Sequence, residues 1–571
     1  MNDEQKEANN VGKTTATEET PNTVEEFYFW VEPGKIINPF DFVSVEHLEG
    51  SITVGLVTSM KLVTDAKSQL ADYVSNEFGK VETIPQTPRL QATIAKAVVM
   101  GNITTKEGIP EILMPIESNK IVRFGSEEEV RAGLGLPAIL PEKRIHIGII
   151  EMSNKSRIPI FIDSDYLLGP QGAHLNISGI TGLATKTSYI MFLIQLLYQK
   201  MKDKLAVIIF NVKQDDLLHL HEEPTDIQDS DKEMYKQLGI EERPFPLFDP
   251  QKTGNSLGIK YFLPRGYRGQ PNSWYVPPSY FIYAYALSDS FSKLDLLFHG
   301  VPDPYFTMRG IIDYIMENYK QGIRFKKDVY SFSGAIIRKK EDKVLTWDDL
   351  RLFSNEPSNF PSDIVRYHRT AYRFAGLLRQ FTSSSLFVST RSANEVYLGE
   401  EIKKIKAGDI YVIDIAKIED EREQAFIIGD VMRSLDEMYT ERRKEEIPEK
   451  IIVYIDELNR YAPRVGGFEE PSPVTEQIRE IARTGRSRGT VLFSAEQFMS
   501  SVDRQIIENC AMQVVGRSGS SELSSDVYRF LDAEVKEVAT RLKKGEVIIS
   551  HPTFRRPIKI KFPKPYYRRI G

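Results

Sequence analysis

The sequence contains one cysteine, Cys510, in 571 residues. That excludes an internal disulfide, leaves too few thiolates for a zinc ribbon or finger, and makes a reducing, intracellular setting the expectation. Long hydrophobic runs are also missing. The longest beside an expected helix, Tyr189–Tyr198, is about half of the ~20 residues that cross a bilayer. The chain therefore reads as soluble and cytoplasmic, with no membrane partner. Neither charge is in large excess: 74 basic against 80 acidic side chains give a net −6. A wholesale nucleic-acid coat is excluded, whereas a local basic surface is not. Residues 1–24 carry almost no large apolar side chain and no secretory hydrophobic stretch, and are expected to form a disordered tail. No fixed-period repeat is visible.

With 41% hydrophobic and 27% charged residues, the rest is apolar enough for several folded domains. Residues 25–160 show short β-type runs such as "GSITVGLVTSMKLV" and "QATIAKAVVMGNI" between turn residues, the pattern of a small β-barrel or sandwich. After Pro170 strand and helix alternate. "LAVIIFNV", "GDIYVIDI", "IIVYIDE" and "TVLFSAE" are nearly all apolar, as strands covered on both faces of a parallel sheet must be. An α/β core is expected over 161–216 and 408–571. Pro- and aromatic-rich loops and amphipathic helices mark 217–407 as a mostly helical insertion.

The stretch "ISGITGLATKTSY", Ile177–Tyr189, joins an expected strand to an apolar helix. A phosphate loop works by turning backbone N–H groups inward at such a junction, with a Lys reaching the β/γ-phosphates and a Ser or Thr on Mg²⁺. Gly179 and Gly182 supply the turn, and Lys186 and Thr187 stand at the mouth of the helix. Against G-x-x-x-x-G-K-[ST], however, Ile180 occupies the first glycine slot and Thr185 the last. The segment reads as a phosphate loop, as a decayed loop in a non-hydrolysing relative, or as an ordinary strand-turn-helix junction with a capping Thr. "GKTT" at Gly12–Thr15 spells the motif better but has no expected strand or helix around it.

Distant segments add weight to the first reading. "KIIVYIDELNRYAP" ends a buried strand in Asp456-Glu457, where phosphoryl chemistry needs one carboxylate for Mg²⁺ and another to polarise the attacking water. "TVLFSAEQ" ends in Gln497, which can orient that water and read the γ-phosphate, or simply cap a helix. Between them, "EQIREIARTGRSRGT" carries Arg479, Arg483, Arg486 and Arg488. Such a run is either a salt-bridged face, with Glu476 and Glu480, or a source of an arginine acting across a subunit boundary. Arg483, Arg486 and Arg517 are the candidates. Ligands gathered at the carboxyl ends of strands would meet in one crevice.

These segments resemble the HerA-type branch of the HerA/FtsK hexameric translocases. The likeness rests on "AHLNISGITG…KTSY", "IIVYIDELNRYAP", "IREIARTGRSRGTVLFSAEQ" and the terminal "LKKGEVIISHPTFRRPIKIKF". It implies a RecA-like P-loop ATPase core behind a HAS-barrel-like N-terminal domain. ATP and Mg²⁺ are the implied cofactors, with Gly179, Ile180, Thr181, Gly182, Leu183, Ala184, Thr185, Lys186, Thr187 and Ser188 around the phosphates. Thr187 and Asp456 would hold the metal, with Glu457, Gln497 and a trans arginine completing catalysis. The resemblance further implies a homohexamer driving double-stranded DNA through its pore, with a nuclease or sirtuin-like partner, in DNA processing or anti-phage defence. "GLATKT" departs from the family's usual "GSGKS".

Two other readings concern different classes. One is a ring-forming scaffold with weak or no ATP turnover that organises a partner enzyme. The other is a metal nuclease built on Asp215, Asp216, His219, His221, Glu222 and Glu223, a cluster that is more often a hydrated loop. The last 21 residues carry seven Lys/Arg and no acid, as a solvated tail packed by Tyr566 and Tyr567 or as a DNA contact.

Overall fold

The computed structural model describes residues 9–569 apart from 83, 85–88, 105–110, 181–184, 250–256, 304–305, 332, 366–367 and 467–469. They form two compact units. One runs to Leu167 and resumes over Met512–Pro563; the other is Leu168–Ala511 with the residues from Lys564 onward.

The first unit begins with a closed barrel of six strands, β1 (Asn10–Thr15), β2 (Glu26–Val31), β3 (Phe42–Glu46), β4 (Ile52–Thr64), β5 (Gln91–Ile103) and β6 (Ile121–Phe124), in the order β1-β2-β5-β4-β3-β6. Alternation builds it: along β2, Phe27, Phe29 and Val31 point inward while Glu26, Tyr28 and Trp30 stay half-exposed. Strand β1 corrects the tail expected over 1–24. Val11 and Thr14 are buried, and a Cβ on Gly12 would lie 1.8 Å from the Trp30 carbonyl oxygen. The glycine of "GKTT" therefore serves close strand approach, and the segment is an extended barrel strand. It is not a phosphate loop.

Next come β7 (Arg144–Glu151) and β8 (Arg157–Asp163), an antiparallel pair outside the barrel. This trims the barrel expected to run to residue 160.

The second unit holds β9 (Leu175–Ser178), β10 (Leu205–Asn211), β11 (Ile259–Pro264), β12 (Tyr280–Tyr283), two short ladders formed by β13 (Tyr285–Ala286) with β16 (Phe387–Val388) and by β14 (Val329–Tyr330) with β15 (Ile336–Arg338), then β17 (Glu395–Val396), β18 (Ile410–Asp414), β19 (Lys450–Asp456) and β20 (Thr490–Glu496). Its main sheet is parallel throughout, in the order β17-β12-β11-β18-β10-β19-β20-β9. β9, β10, β18 and β20 are buried at every position, as expected for strands between two helical layers. The expected α/β core and the barrel before it are both present, and one strand, β20, separates β9 from β19. Here the insertion over 217–407 needs correcting: it does contain the helices Thr307–Asn318, Trp347–Ser354 and His368–Phe381, but β11, β12 and β17 extend the main sheet. Their Tyr- and Phe-rich sequences lie among prolines and so read as loops, yet Tyr261, Phe262, Leu263 and Tyr283 are fully buried.

The helix Pro473–Arg488 shows how local signals set boundaries. Ser472 accepts from the Thr475 N–H, proline occupies the first turn, and Gly489 closes the helix at φ 89°. On the helix Glu421–Glu441, Asp430 and Ser434 accept from the buried ammonium of Lys293 at 2.7 and 2.6 Å, which anchors the inserted segment to the core.

Finally β21 (Met512–Val515), β22 (Glu546–Ser550) and β23 (Ile558–Lys561) belong to the first unit, where the sheet order is β21-β22-β23-β7-β8. The core expected over 408–571 thus gives up most of its last 60 or so residues to the other unit.

Gly12→Val should lower stability by roughly 2–4 kcal/mol, because a side chain there must push β1 off β2. Lys13→Ala should change it by less than about 0.5 kcal/mol and leave nucleotide binding untouched. Denaturant melts and a nucleotide titration of the two variants check this.

Candidate functional site

Strand β9 ends at Ser178, and the Gly179 N–H donates to the Glu496 carbonyl at 3.3 Å. Of the expected phosphate loop, Thr181, Gly182, Leu183 and Ala184 lie outside the described residues; Ile180 is 40% exposed. The helix Thr185–Met201 follows, apolar on nearly all sides and buried along most of its length. Thr185, Lys186 and Ser188 of its first turns are buried. Lys186 Nζ donates to the Gly179 carbonyl at 2.6 Å, so the lysine reaches back to the residue that follows β9. Burial lowers its pKa, and Lys213 does the same, against the opposing pull of Asp456, Glu496 and Glu457.

Thr187 Oγ1 donates to Asp456 Oδ2 at 3.4 Å, joining two segments 269 residues apart. Asp456 ends β19, its side chain 6% exposed. Glu457 then takes a left-handed conformation, φ 53°, its N–H donating to Asp456 Oδ1 at 2.8 Å. Such backbone costs a non-glycine residue of order 1–2 kcal/mol, and here it turns the Glu457 side chain toward two cations. Glu457 Oε1 lies 3.2 Å from Lys213 Nζ, and Oε2 accepts from Arg460 Nη1 at 3.2 Å. Arg460 also donates to Glu421 at 3.0 Å and to Gln424 at 3.1 Å, on the Glu421–Glu441 helix.

Lys213, two residues beyond β10, escaped the sequence reading. Its ammonium lies 3.2 Å from both Asp456 Oδ2 and Glu457 Oε1. Burial works to lower its pKa, but the two carboxylates more than offset this and the net shift is upward. Glu496 is the second omission. It ends β20 with no exposure, and its Oε2 accepts from Asn176 Nδ2 at 3.0 Å. The half-buried Gln497 is the next residue. The strand-end row continues with Asn211 on β10 and Asp414 on β18, where Asn211 Nδ2 donates to Asp414 Oδ1 at 2.8 Å and Ser273 Oγ to Oδ2 at 2.5 Å. Burial pushes the Asp414 carboxyl up to about 6 despite these bonds. The only sequence signal for Lys213 or Glu496 was a charge just past an apolar strand.

No family model matches the chain, and no curated protein matches it. Solved structures do. VirB4 of Thermoanaerobacter pseudethanolicus aligns with a TM-score of 0.43 at 14% identity, over 74% of this chain and 97% of that one. The bacterial conjugative coupling protein TrwB, in an unbound form, aligns at 0.40 and 11%, over 70% and 88%. The genome packaging NTPase B204 from Sulfolobus turreted icosahedral virus 2, in complex with ATP-gammaS, aligns at 0.22 and 14%, over 29% and 72%. At these scores, the chemistry of the site rests on this chain's own side chains.

The candidate arginines stand apart from the cluster. Arg483 pairs with Glu480 on an exposed face, and Arg486 is exposed. Both lie on the half of their helix that leads into the start of β20, whereas Asp456 and Glu496 lie at strand ends. Arg517 belongs to the other unit, where its Nε donates to the Thr540 carbonyl at 3.1 Å. Arg479 bonds Asp503 and Glu476.

The acid–histidine run is a closed hydrogen-bonded cluster. His219 lies 2.8 Å from Glu222 and 3.3 Å from Asp215, and Tyr275 and Arg568 donate to Glu222 at 2.7 and 2.8 Å. Although burial works against it, these partners hold the Glu222 carboxyl down to about 2. Among the described residues no group of three or more His, Cys, Asp or Glu could hold a metal ion. The basic C-terminus is docked as well: Tyr567 is buried, and Lys564 and Arg569 pair with Asp226. No described helix is long and apolar enough to cross a membrane.

An acid whose carboxyl titrates higher in the folded chain than in the unfolded one is most stabilising when protonated. The contribution of Asp414 should therefore be full below about pH 4 and fade as the pH rises to about 6. Asp414→Asn should remove that fade, gaining of order 2 kcal/mol on the wild type across the window. Denaturant midpoints of both proteins between pH 4 and 7 check it.

Proposed function

We propose that the chain is an ATP-hydrolysing DNA translocase of the HerA-like kind, working as a homohexameric ring with a nuclease or sirtuin-like effector in the cytoplasm. The observation that carries this reading is the meeting of Lys186, Thr187, Asp456 and Glu457 at the ends of β9 and β19, although the sequence separates them by some 270 residues. That is the set of groups required to grip phosphates, bind a metal and polarise water.

ATP and Mg²⁺ fit the donors present. Thr187 Oγ1 and Asp456 Oδ2 are hard oxygen ligands 3.4 Å apart, close to the ~2.9 Å between adjacent ligands of an octahedral ion with ~2.05 Å bonds. Bound Mg²⁺ would supply charge neutralisation on the phosphate oxygens. Lys186 and the loop amides would hold the phosphates, with Gly179, Ile180, Thr181, Gly182, Leu183, Ala184, Thr185 and Ser188 forming the cradle. Glu457 would take the proton of the attacking water, and Gln497, beside it on the next strand end, would read the γ-phosphate. Arg483, Arg486 and Arg517 are each exposed in the single chain, as a residue that completes a neighbour's site must be.

A ring-forming scaffold with weak or no turnover is the second reading. What favours it is that both oxygens of Glu457 are engaged by cations, Lys213 and Arg460, which leaves neither oxygen unoccupied for an attacking water.

Double-stranded DNA should stimulate ATP hydrolysis by the wild-type chain. Glu457→Gln should retain nucleotide binding and lose about 10²-fold or more in kcat, whereas Lys186→Ala should lose binding. A wild type as silent as Glu457→Gln, with DNA and with partner, would decide for the scaffold.

A further inference from the structure

With Asp456 taken as the metal-side carboxylate, as above, we propose that Lys213 is the built-in competitor of the divalent cation: its ammonium occupies the carboxylate oxygen that the cation needs, so that the acid pair resists free metal ions. The geometry is specific. Asp456 Oδ2 receives both the Lys213 ammonium, at 3.2 Å, and the Thr187 hydroxyl, at 3.4 Å. The same ammonium lies 3.2 Å from Glu457 Oε1. A singly charged group thus bridges the two acids and neighbours the hydroxyl on which a metal would draw.

Lys186 does not compete for this position, because its Nζ is committed to the Gly179 carbonyl at 2.6 Å. The chain also aims Lys213 there. Asn211 pins the turn that carries it, donating through Nδ2 to the Gln214 carbonyl at 2.7 Å and accepting from the Leu217 N–H at 3.3 Å. The pair is uneven in solvation, with Asp456 6% and Lys213 33% exposed. The acid is fixed, while the ammonium has water to withdraw into. Two cations cannot share one carboxylate oxygen without strong mutual repulsion, so binding of a divalent ion must expel Lys213. Free metal offers only its own charge for that displacement, whereas a metal–nucleotide complex adds phosphate contacts at Lys186 and the loop.

The test titrates the full chain with Mn²⁺ alone, following free Mn²⁺ by electron paramagnetic resonance. Lys213→Met should bind one Mn²⁺ per chain roughly fivefold or more tighter than wild type, the size expected from removing one partly exposed ion pair. Lys213→Arg should keep the wild-type Kd. Equal or weaker binding by Lys213→Met overturns the competitor role. Adding Asp456→Asn to Lys213→Met should erase the gain. A gain that survives it places the metal elsewhere, and then the metal-side reading of Asp456 fails too. If Asp456→Asn weakens Mn²⁺ binding in the wild type while Lys213→Met changes nothing, only the role of Lys213 falls. A measurement without variants stands beside these: reductive methylation of Lys213, quantified by mass spectrometry, should rise when Mn²⁺ and ATP are added together, and an unchanged yield counts against displacement.

Discussion

A carboxylate carried out of water at the end of an apolar strand has to meet positive charge or donors, and Asp456 is the point where this requirement organises the second unit. The strand that delivers it, "KIIVYID", is buried from Ile451 onward, so the acid cannot turn back to solvent. It is met by Lys213 from the end of β10 and by Thr187 from the helix behind β9. Three segments distant in sequence are thus tied at one oxygen. Moving Lys213 away leaves a buried charge uncompensated, which costs more than the pair itself is worth.

Charge balance around this point extends further. Lys186, Lys213 and Arg460 stand against Asp456, Glu457 and Glu496, and Asp216 lies close enough to act on Lys213 and Asp456. Each group alone would be costly there, and together they are tolerable. An added phosphate or divalent ion would change which cation pairs with which acid.

The hydrogen bonds continue outward from Glu457. Arg460 connects Glu457 to Glu421 and Gln424 on the helix Glu421–Glu441, and three turns along the same helix Asp430 and Ser434 hold the buried Lys293 of the inserted segment. One largely buried helix therefore touches both Arg460 and the insertion. Along that helix Glu421 is half-exposed, whereas Asp430 has no exposure.

Continuous Val/Ile runs made the parallel strands legible from sequence, because only strands covered on both faces can be so apolar, and Asp456-Glu457 stood out as charge at the end of such a run. The same logic failed for β1, where few buried side chains suffice for a barrel strand, and for β11 and β12, whose aromatic residues next to prolines look like loops until their burial is known. Local sequence therefore determined the kinds of element, the helix caps and the residues fit for phosphate chemistry. Tertiary structure alone decided the pairing: that Lys213, unremarkable in "FNVKQDD", becomes the counter-ion of both acids; that Glu496, the residue before Gln497, acts on Lys186; and that the C-terminal arginines are already matched to acids. Those outcomes depend on which strand ends lie side by side, and strand order is set by long-range packing that no local pattern encodes.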